Sequence, residues 1–188
     1  MKHRIKNDLL IVSSLIQMKS RQLGDPTLLA DLRCRVDAIQ AVHSRLSERP
    51  ELQTIDIQAY LDEIARSACS AYCRSTVRVE TSIDKADFDA RRAGTLGLIV
   101  NEIAINSAKH AFPEGGTAQD EFRLSLTRTD REGKQLWYLE AGNSGPAIPD
   151  SAELNGLGMR LIKALASELN GSFSLTRSPS PCYRIQFP

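Results

Sequence analysis

Long hydrophobic runs are missing from this sequence of 188 residues. No apolar stretch approaches the roughly 18–20 residues that a helix needs to cross a bilayer, and no stretch has the pattern of a signal peptide. Neither charge is in excess, because the formal net charge is +1, so nothing favours nucleic acid or an acidic membrane surface as a partner. We find no internal repeat or low-complexity tract. We therefore expect a cytoplasmic protein without direct membrane contact.

Cysteine is also sparse. The four cysteines include no C-x-x-C pair. Cys69 and Cys73 lie four residues apart on a predicted helix, and the second pair that a structural zinc site requires is missing. We therefore expect reduced, mostly buried thiols, as in a cytosolic protein. The apolar fraction of 41% and the charged fraction of 25% are those of an ordinary globular protein.

Two amphipathic helical patterns fill the first fifty residues. Apolar residues recur with heptad-like spacing over residues 1–23 and again over residues 27–48, and Gly24-Asp25-Pro26 separates the two patterns. A hairpin of two helices cannot enclose a core by itself. We therefore predict that residues 1–50 form an antiparallel helical hairpin, half of a four-helix bundle that assembles in a homodimer.

Residues 51–188 alternate between helical and strand patterns. Helices are predicted at 57–72, 98–112 and 159–169 from their apolar periodicity. Period-two alternation predicts strands at 76–83, 121–128, 135–141, 171–176 and 183–187. This order predicts an α+β sandwich, in which helices cover one side of a mixed, mostly antiparallel sheet.

The helical pattern of residues 98–112 carries a polar stripe. Glu102, Asn106 and Lys109 follow each other at i, i+4 and i+7, so they lie on one side of the helix. Burying these groups without partners is costly, and a phosphate chain with a hard cation would supply partners. Asn suits Mg²⁺, Lys suits phosphate, and Glu suits a base or a water-holding group. An ordinary amphipathic helix with a solvated polar face explains this stretch alone equally well.

Four motifs along the chain, taken together, resemble those of a known family. Asn-Glu-x-x-x-Asn-x-x-Lys-His-Ala-Phe at 101–112 resembles the N-box of the GHKL ATPase superfamily. The stretches 143–149 and 156–162 resemble its first and second Gly boxes. Residues 3–15 resemble the phospho-accepting H-box of sensor histidine kinases of the second HisKA type, close to the HWE kinases. The ordered set covers almost the whole chain and implies a Bergerat-type ATP-binding domain at 51–188.

The H-box resemblance changes the interpretation of His3. An imidazole beside Arg4 and Lys6 can attack a phosphoryl group at neutral pH, although a lone histidine near a terminus is more often an ordinary surface residue. The resemblance implies that His3 accepts phosphate from ATP. It interprets His43, on the second helix, as structural or surface-exposed.

The resemblance as a whole implies a two-component signal transduction histidine kinase core. Such a core autophosphorylates from ATP with Mg²⁺ and passes the phosphoryl group to an aspartate of a response-regulator receiver domain. The implied catalytic residues are His3 and Glu102. The implied nucleotide-binding residues are Asn101, Asn106, Lys109, His110, Asn143, Gly145, Gly156 and Gly158, and Asn106 is also the implied Mg²⁺ ligand.

The first Gly box departs from the family's usual Asp-x-Gly-x-Gly. Asn143 replaces the aspartate that accepts a hydrogen bond from the adenine amino group, and loses about 1 kcal/mol or more of charge-assisted strength. Ala147 replaces the second glycine, which costs about 1–2 kcal/mol if that position requires a positive φ. The segment 150–155 is short for an ATP lid. These departures are consistent with weak ATP binding, with an altered choice of purine or with a loss of binding, and we expect weakened activity.

Two alternative functions remain beside the kinase. In the first, the ATP-like domain is degenerate, and His3 only carries phosphate between receiver domains as a relay module. In the second, the chain is a Ser/Thr kinase of the anti-sigma type, which would not need the His3 hairpin and ranks low. Sensor histidine kinases are often tethered to a membrane, and this sequence has no spanning segment, so we expect either a soluble member of the family or a catalytic fragment. The start two residues before His3 favours a trimmed chain or an unusually short natural start.

Overall fold

The computed structural model describes residues 54–72, 77–112, 120–131, 133–154 and 156–188. The predicted helical hairpin of residues 1–50, with His3 and His43, lies outside these residues. The part of the chain that the structure describes forms one compact unit. None of its helices is long and apolar enough to cross a membrane.

Three helices occur among the described residues. They are α1 (Ile57–Tyr72), α2 (Ala90–His110) and α3 (Leu157–Glu168). Asp56 caps α1 by accepting hydrogen bonds from the backbone N–H groups of Gln58 and Ala59. The inward side of α1 is the predicted one, because Tyr60, Leu61, Ile64, Ala65 and Ala68 are all buried.

Helix α2 begins eight residues earlier than the predicted start at residue 98. Asp89 caps it by accepting hydrogen bonds from the backbone N–H groups of Arg91 at 2.9 Å and Arg92 at 3.0 Å. The early start brings α2 close to α1. A Cβ added at Gly97 would lie 2.6 Å from Tyr60 Oη and 2.7 Å from Ile64 Cδ1. Glycine at this position therefore permits the close packing of the two helices.

Seven strands are described. They are β1 (Thr54–Asp56), β2 (Arg78–Ile83), β3 (Asp87–Asp89), β4 (Glu121–Arg131), β5 (Lys134–Asn143), β6 (Ser172–Thr176) and β7 (Cys182–Phe187). Five of them form a sheet in the order β2-β4-β5-β7-β6. The β2–β4 pair is parallel and the other pairs are antiparallel, so the sheet is mixed and mostly antiparallel, as predicted.

The core lies on one face of this sheet. Along β4, Phe122, Leu124 and Leu126 are buried while Arg123 and Thr127 are exposed, as expected for a strand with one covered face. Side chains of the three helices and of β5 and β7 complete the core, and each fully buried Leu, Ile or Phe contributes about 1.5–3 kcal/mol. The described part is therefore the α+β sandwich that the sequence predicts.

A second, two-stranded sheet fixes the start of α2. Strand β3 pairs antiparallel with β1, with Phe88 opposite Ile55. Phe88 is buried and meets Trp137 edge-on, with ring centroids 5.0 Å apart. The guanidinium of Arg92 lies 4.9 Å from the centre of the Phe88 ring. These contacts anchor the N-terminal end of the helix that carries the predicted N-box.

Candidate active site

The predicted N-box residues lie on the C-terminal half of α2, and their exposure increases along the helix. Asn101 and Glu102 are buried, with 7% and 2% of their surface exposed. Asn106 is half-buried, and Lys109 and His110 are exposed. The stripe is therefore not an ordinary solvated face, because its first residues lie inside the protein.

Asn101 presents a polar atom in need of a partner. Its side-chain amide nitrogen is buried, and no hydrogen-bond acceptor for it exists among the residues that the structure describes. Buried donors in folded proteins are almost always hydrogen-bonded. The implied role of Asn101 as a ligand-binding residue would supply an acceptor.

Asn106 lies against the sheet. Its side chain lies next to the phenol of Tyr183 on β7. Burial raises the pKa of the Tyr183 phenol, and the Asn106 side chain acts in the opposite direction. The half-buried amide of Asn106 thus has a buried aromatic neighbour on the sheet.

The last two polar residues of α2 are shifted toward their neutral forms. Both side chains are exposed only in part, and the partial burial lowers the pKa of the Lys109 ammonium. Burial also lowers the pKa of the His110 imidazole, and the positive charge of Lys109 lowers it further. Two adjacent groups that are costly to charge form a site where an anion would be stabilising.

The first Gly box is joined directly to α2. The Asn143 side-chain nitrogen donates to Ser107 Oγ at 2.9 Å, and Ser107 Oγ donates to the Ile103 carbonyl at 2.9 Å. The backbone N–H of Gly145 donates to Asn143 Oδ1 at 3.0 Å. Asn143 has only 3% of its surface exposed. The structure therefore brings together two motifs that are 36 residues apart along the chain.

Gly145 lies in close contact with the end of α2. A Cβ added at Gly145 would lie 2.5 Å from the Cβ of Ala111 and 2.8 Å from its Cα. Ala147, the other departure in this box, does not have a positive φ, because Asn170 alone has one among the described non-glycine residues. The cost expected for Ala147 from a left-handed conformation is therefore absent in this structure.

The second Gly box forms the start of α3. Gly156 is the N-cap, with φ −60° and ψ 158°, and its carbonyl accepts from the Arg160 N–H at 3.1 Å. Gly158 is buried in the first turn of the helix. Helix α3 packs against α2. Backbone N–H groups of a first helical turn have no acceptor within the helix, which suits phosphate oxygens once other groups define a site.

The segment before the second Gly box is held by Arg177. Its guanidinium donates to the carbonyl oxygens of Pro149 at 2.8 Å, Asp150 at 3.2 Å and Ala152 at 3.4 Å. The Arg177 carbonyl accepts from the Ile148 N–H at 3.0 Å. Residues 149–152 are therefore hydrogen-bonded to Arg177, the residue that directly follows β6.

Three residues of this site were not predicted from the sequence. Ser107 and Arg177 form hydrogen bonds with Asn143 and with the segment before the second Gly box, respectively, and Tyr183 lies next to Asn106. A serine among the apolar positions of α2 was a usable signal for Ser107. Nothing in the local sequence distinguishes Tyr183 or Arg177, because their partners are distant along the chain.

Binding of a divalent cation in this site would require a bound nucleotide. Within the described residues, no group of three or more His, Cys, Asp or Glu side chains could hold a metal ion. Mg²⁺ commonly takes one or two protein ligands together with substrate phosphates. The half-buried amide of Asn106 fits such a single ligand.

A separate groove lies away from this site. Its volume is about 670 Å³, and its lining includes Arg66, Arg123, Glu140 and Cys182. None of the predicted site residues that the structure describes lines it. Burial, followed by the charge of Glu140, raises the pKa of the Cys182 thiol, which makes it a poor nucleophile.

Comparison with known proteins agrees with these motifs. Residues 1–72 match a family model described as histidine kinase, of the second HisKA type. Blue-light-activated histidine kinase 2 of Erythrobacter litoralis is 28% identical over 183 residues, which cover 93% of this chain and 51% of that protein. Sensor histidine kinase PdtaS of Mycobacterium tuberculosis is 27% identical over 187 residues, which cover 92% of this chain and 35% of that protein.

A solved structure extends the likeness to the fold. The histidine kinase domain of the Erythrobacter litoralis EL346 blue-light activated histidine kinase superposes with a TM-score of 0.69 at 25% identity, covering 100% of this chain and 88% of that one. The chain is therefore similar to histidine kinases in its sequence and in its fold. The chain spans about half the length of the first of these relatives and about a third of the second.

Proposed function

We propose that the chain is the ATP-dependent kinase core of a two-component system, which phosphorylates itself on His3 and then an aspartate of a response-regulator receiver domain. The observation that carries the proposal is the hydrogen bond from Asn143 to Ser107. It places the first Gly box against the helix that carries the N-box. A nucleotide that contacts both motifs needs this proximity.

Each motif contributes a different part of the nucleotide site in this proposal. Asn143 contacts the base, Lys109, His110 and the buried amide of Asn101 face phosphate groups, and the start of α3 supplies backbone N–H donors. ShkA, which is 15% identical and shares the fold with a TM-score of 0.55, is described as a complex with AMPPNP. That description supports a nucleotide site in this fold.

Mg²⁺ would be held by Asn106 together with phosphate oxygens, and it would neutralise phosphate charge. The protein's own contribution is positioning and charge stabilisation, which dominate phosphoryl transfer. The unprotonated nitrogen of His3 attacks the γ-phosphorus of ATP, so that the new P–N bond forms as the P–O bond to ADP breaks. Glu102 is proposed to hold water or to accept the imidazole proton.

Assembly and location follow from the same proposal. Residues 1–50 pair with a second copy as a four-helix bundle, and the protein acts in the cytoplasm. Sedimentation is expected to give a dimer, and a species of 20.8 kDa alone would contradict the pairing.

The kinase is tested by incubating the purified chain with γ-labelled ATP and Mg²⁺. We expect acid-labile phosphate on the chain, lost in His3→Gln and retained in His43→Gln, which is the matched control. Label that persists in His3→Gln would contradict the assignment of the acceptor.

The relay module is the other possible result of this experiment. The comparisons do not favour it, because the named relatives are kinases. A chain that takes phosphate from a phosphorylated receiver but never from saturating ATP would replace the kinase proposal with the relay.

A further inference from the structure

The side chain of Asn143 is held in one orientation. The hydroxyl of Ser107 has a single hydrogen, and this hydrogen is donated to the Ile103 carbonyl. Ser107 Oγ can therefore only accept from Asn143, so the amide nitrogen faces Ser107 at 2.9 Å. The Gly145 N–H, 3.0 Å from Oδ1, fixes the carbonyl end in the same way. A flipped amide would lose both hydrogen bonds.

Half of the hydrogen-bonding capacity of this amide is unused among the residues that the structure describes. An asparagine amide has two N–H donors and two acceptor lone pairs. Among the residues that the structure describes, Ser107 takes one N–H, and Gly145 takes one lone pair. One donor and one acceptor remain. A carboxylate at residue 143 would instead offer acceptors only, because an ionised aspartate has no hydrogen to donate.

This difference determines which purines the site can accept. Adenine carries an amino group at position 6, which donates, whereas guanine carries a carbonyl oxygen there, which accepts. A carboxylate facing the guanine oxygen brings two acceptors together and rejects the base, since a buried polar group without a partner is strongly unfavourable. The remaining donor of Asn143 removes that conflict, and its remaining acceptor still serves adenine.

We propose that the nucleotide site accepts 6-oxopurine triphosphates, such as GTP, in addition to ATP. The proposal rests on the proposed function, which places the base at Asn143. Ser107 is a positioning residue here, because it determines which end of the amide is the donor. Its hydroxyl can also rotate to donate to a carboxylate, so an aspartate at residue 143 is compatible with the fold.

The test is calorimetric titration of the full chain with AMPPNP and with GMPPNP, each with Mg²⁺. We expect the two dissociation constants of the unmodified chain to lie within about tenfold of each other. In Asn143→Asp, we expect the preference for AMPPNP over GMPPNP to rise by about tenfold or more, as one mismatched hydrogen bond requires.

Ser144→Ala is the matched control. Ser144 Oγ accepts from the Glu121 N–H at 2.9 Å and is not among the hydrogen-bond partners of the Asn143 amide. The ratio of the AMPPNP and GMPPNP dissociation constants in Ser144→Ala is therefore expected to equal that of the unmodified chain. A ratio that changes equally in Ser144→Ala and Asn143→Asp would overturn the proposal. Fluorescence of the single tryptophan, Trp137, verifies that each variant is folded.

The outcomes separate this inference from the function on which it rests. If the unmodified chain binds AMPPNP at least about a hundredfold more tightly than GMPPNP, the inference is wrong and the nucleotide site stands. If it binds neither analogue, the proposed function itself fails. Comparable binding of both analogues, lost for GMPPNP in Asn143→Asp, supports the inference.

Discussion

At the scale of the residue, Gly145 and Gly156 of the two Gly boxes differ in the space that is available for a side chain. A Cβ at Gly145 would overlap Ala111, whereas a Cβ at Gly156 would meet nothing within 4 Å. We expect Gly145→Ala to lower the free energy of unfolding by about 1–3 kcal/mol through overpacking. Gly156→Ala is the control and is expected to change it by less than about 1 kcal/mol. Urea denaturation of the two variants measures both effects.

His110 provides a prediction about pH. Its pKa is lowered by burial and then by Lys109, so protonation is less favourable in the folded protein than in the unfolded chain. The free energy of unfolding should therefore fall as the pH drops below 6.5, the ordinary value, and no such contribution exists well above it. A bound triphosphate favours the protonated form, so affinity for AMPPNP should rise over the same decrease in pH.

The phosphates of AMPPNP titrate as well and also change the affinity with pH. The comparison variant is therefore His110→Gln, in which only the contribution of the imidazole is removed. Between pH 7.5 and 6.0, we expect the gain in affinity to be roughly threefold larger in the unmodified chain, the size of one screened charge interaction. Identical pH profiles for the two proteins would show that the imidazole does not face the phosphates.

The sequence predicts the chemistry of individual residues better than their surroundings. The polar stripe of α2 is visible in the spacing of Glu102, Asn106 and Lys109, and the resemblance gives each residue a role. The spacing does not predict that Asn101 and Glu102 are buried, because burial depends on distant parts of the chain. The partner of Asn143 could not be predicted for the same reason, since Ser107 lies on another element.

At the scale of the element, α2 depends on its cap. Asp89 is exposed, and the contacts recorded for its side chain are with the backbone N–H groups of Arg91 and Arg92. We expect Asp89→Ala to lower the free energy of unfolding by about 1 kcal/mol, whereas Asp89→Asn keeps the acceptor oxygen and most of the stability. Chemical denaturation followed by Trp137 fluorescence distinguishes the variants, and equal stability of Asp89→Ala and the unmodified chain would argue against the cap.

Most elements agree with their predicted type, and the disagreements have physical causes. The first two turns of α2 were not predicted as helix, because Gly94 and Gly97 lower helix propensity there. Packing against Tyr60 and Ile64 outweighs that cost. Strand β3 is three residues long, too short for a period-two pattern to reveal.

At the scale of the whole molecule, the residues after the predicted hairpin are expected to fold on their own. Trp137 has 6% of its surface exposed and belongs to the core of the compact unit Thr54–Pro188. We expect a fragment of residues 51–188 to unfold cooperatively in urea and to bind AMPPNP within about threefold of the full chain. The same fragment should form no phosphohistidine from ATP, since His3 is missing.

An unfolded fragment, with Trp137 fluorescence typical of a solvated indole, would contradict the predicted division at residue 50.

The sequence predicts the α+β class from two periodicities, 3.6 and 2, which are local properties. It does not predict the strand order β2-β4-β5-β7-β6, because pairing partners are chosen by the fit of whole faces. The order of the motifs predicts the architecture only because it resembles the order found in a known family.

The parallel pairing of β2 with β4 has a consequence for the time course of folding. Strands β4 and β5 pair from Arg131 and Lys134 onward, close together along the chain, so they can form a local hairpin within microseconds. Strand β2 must wait, because β3 and the whole of α2 lie between it and its partner, and closing so long a loop delays a contact. The sheet is therefore complete only after α2, the helix with the predicted N-box, has formed and brought β2 and β4 together.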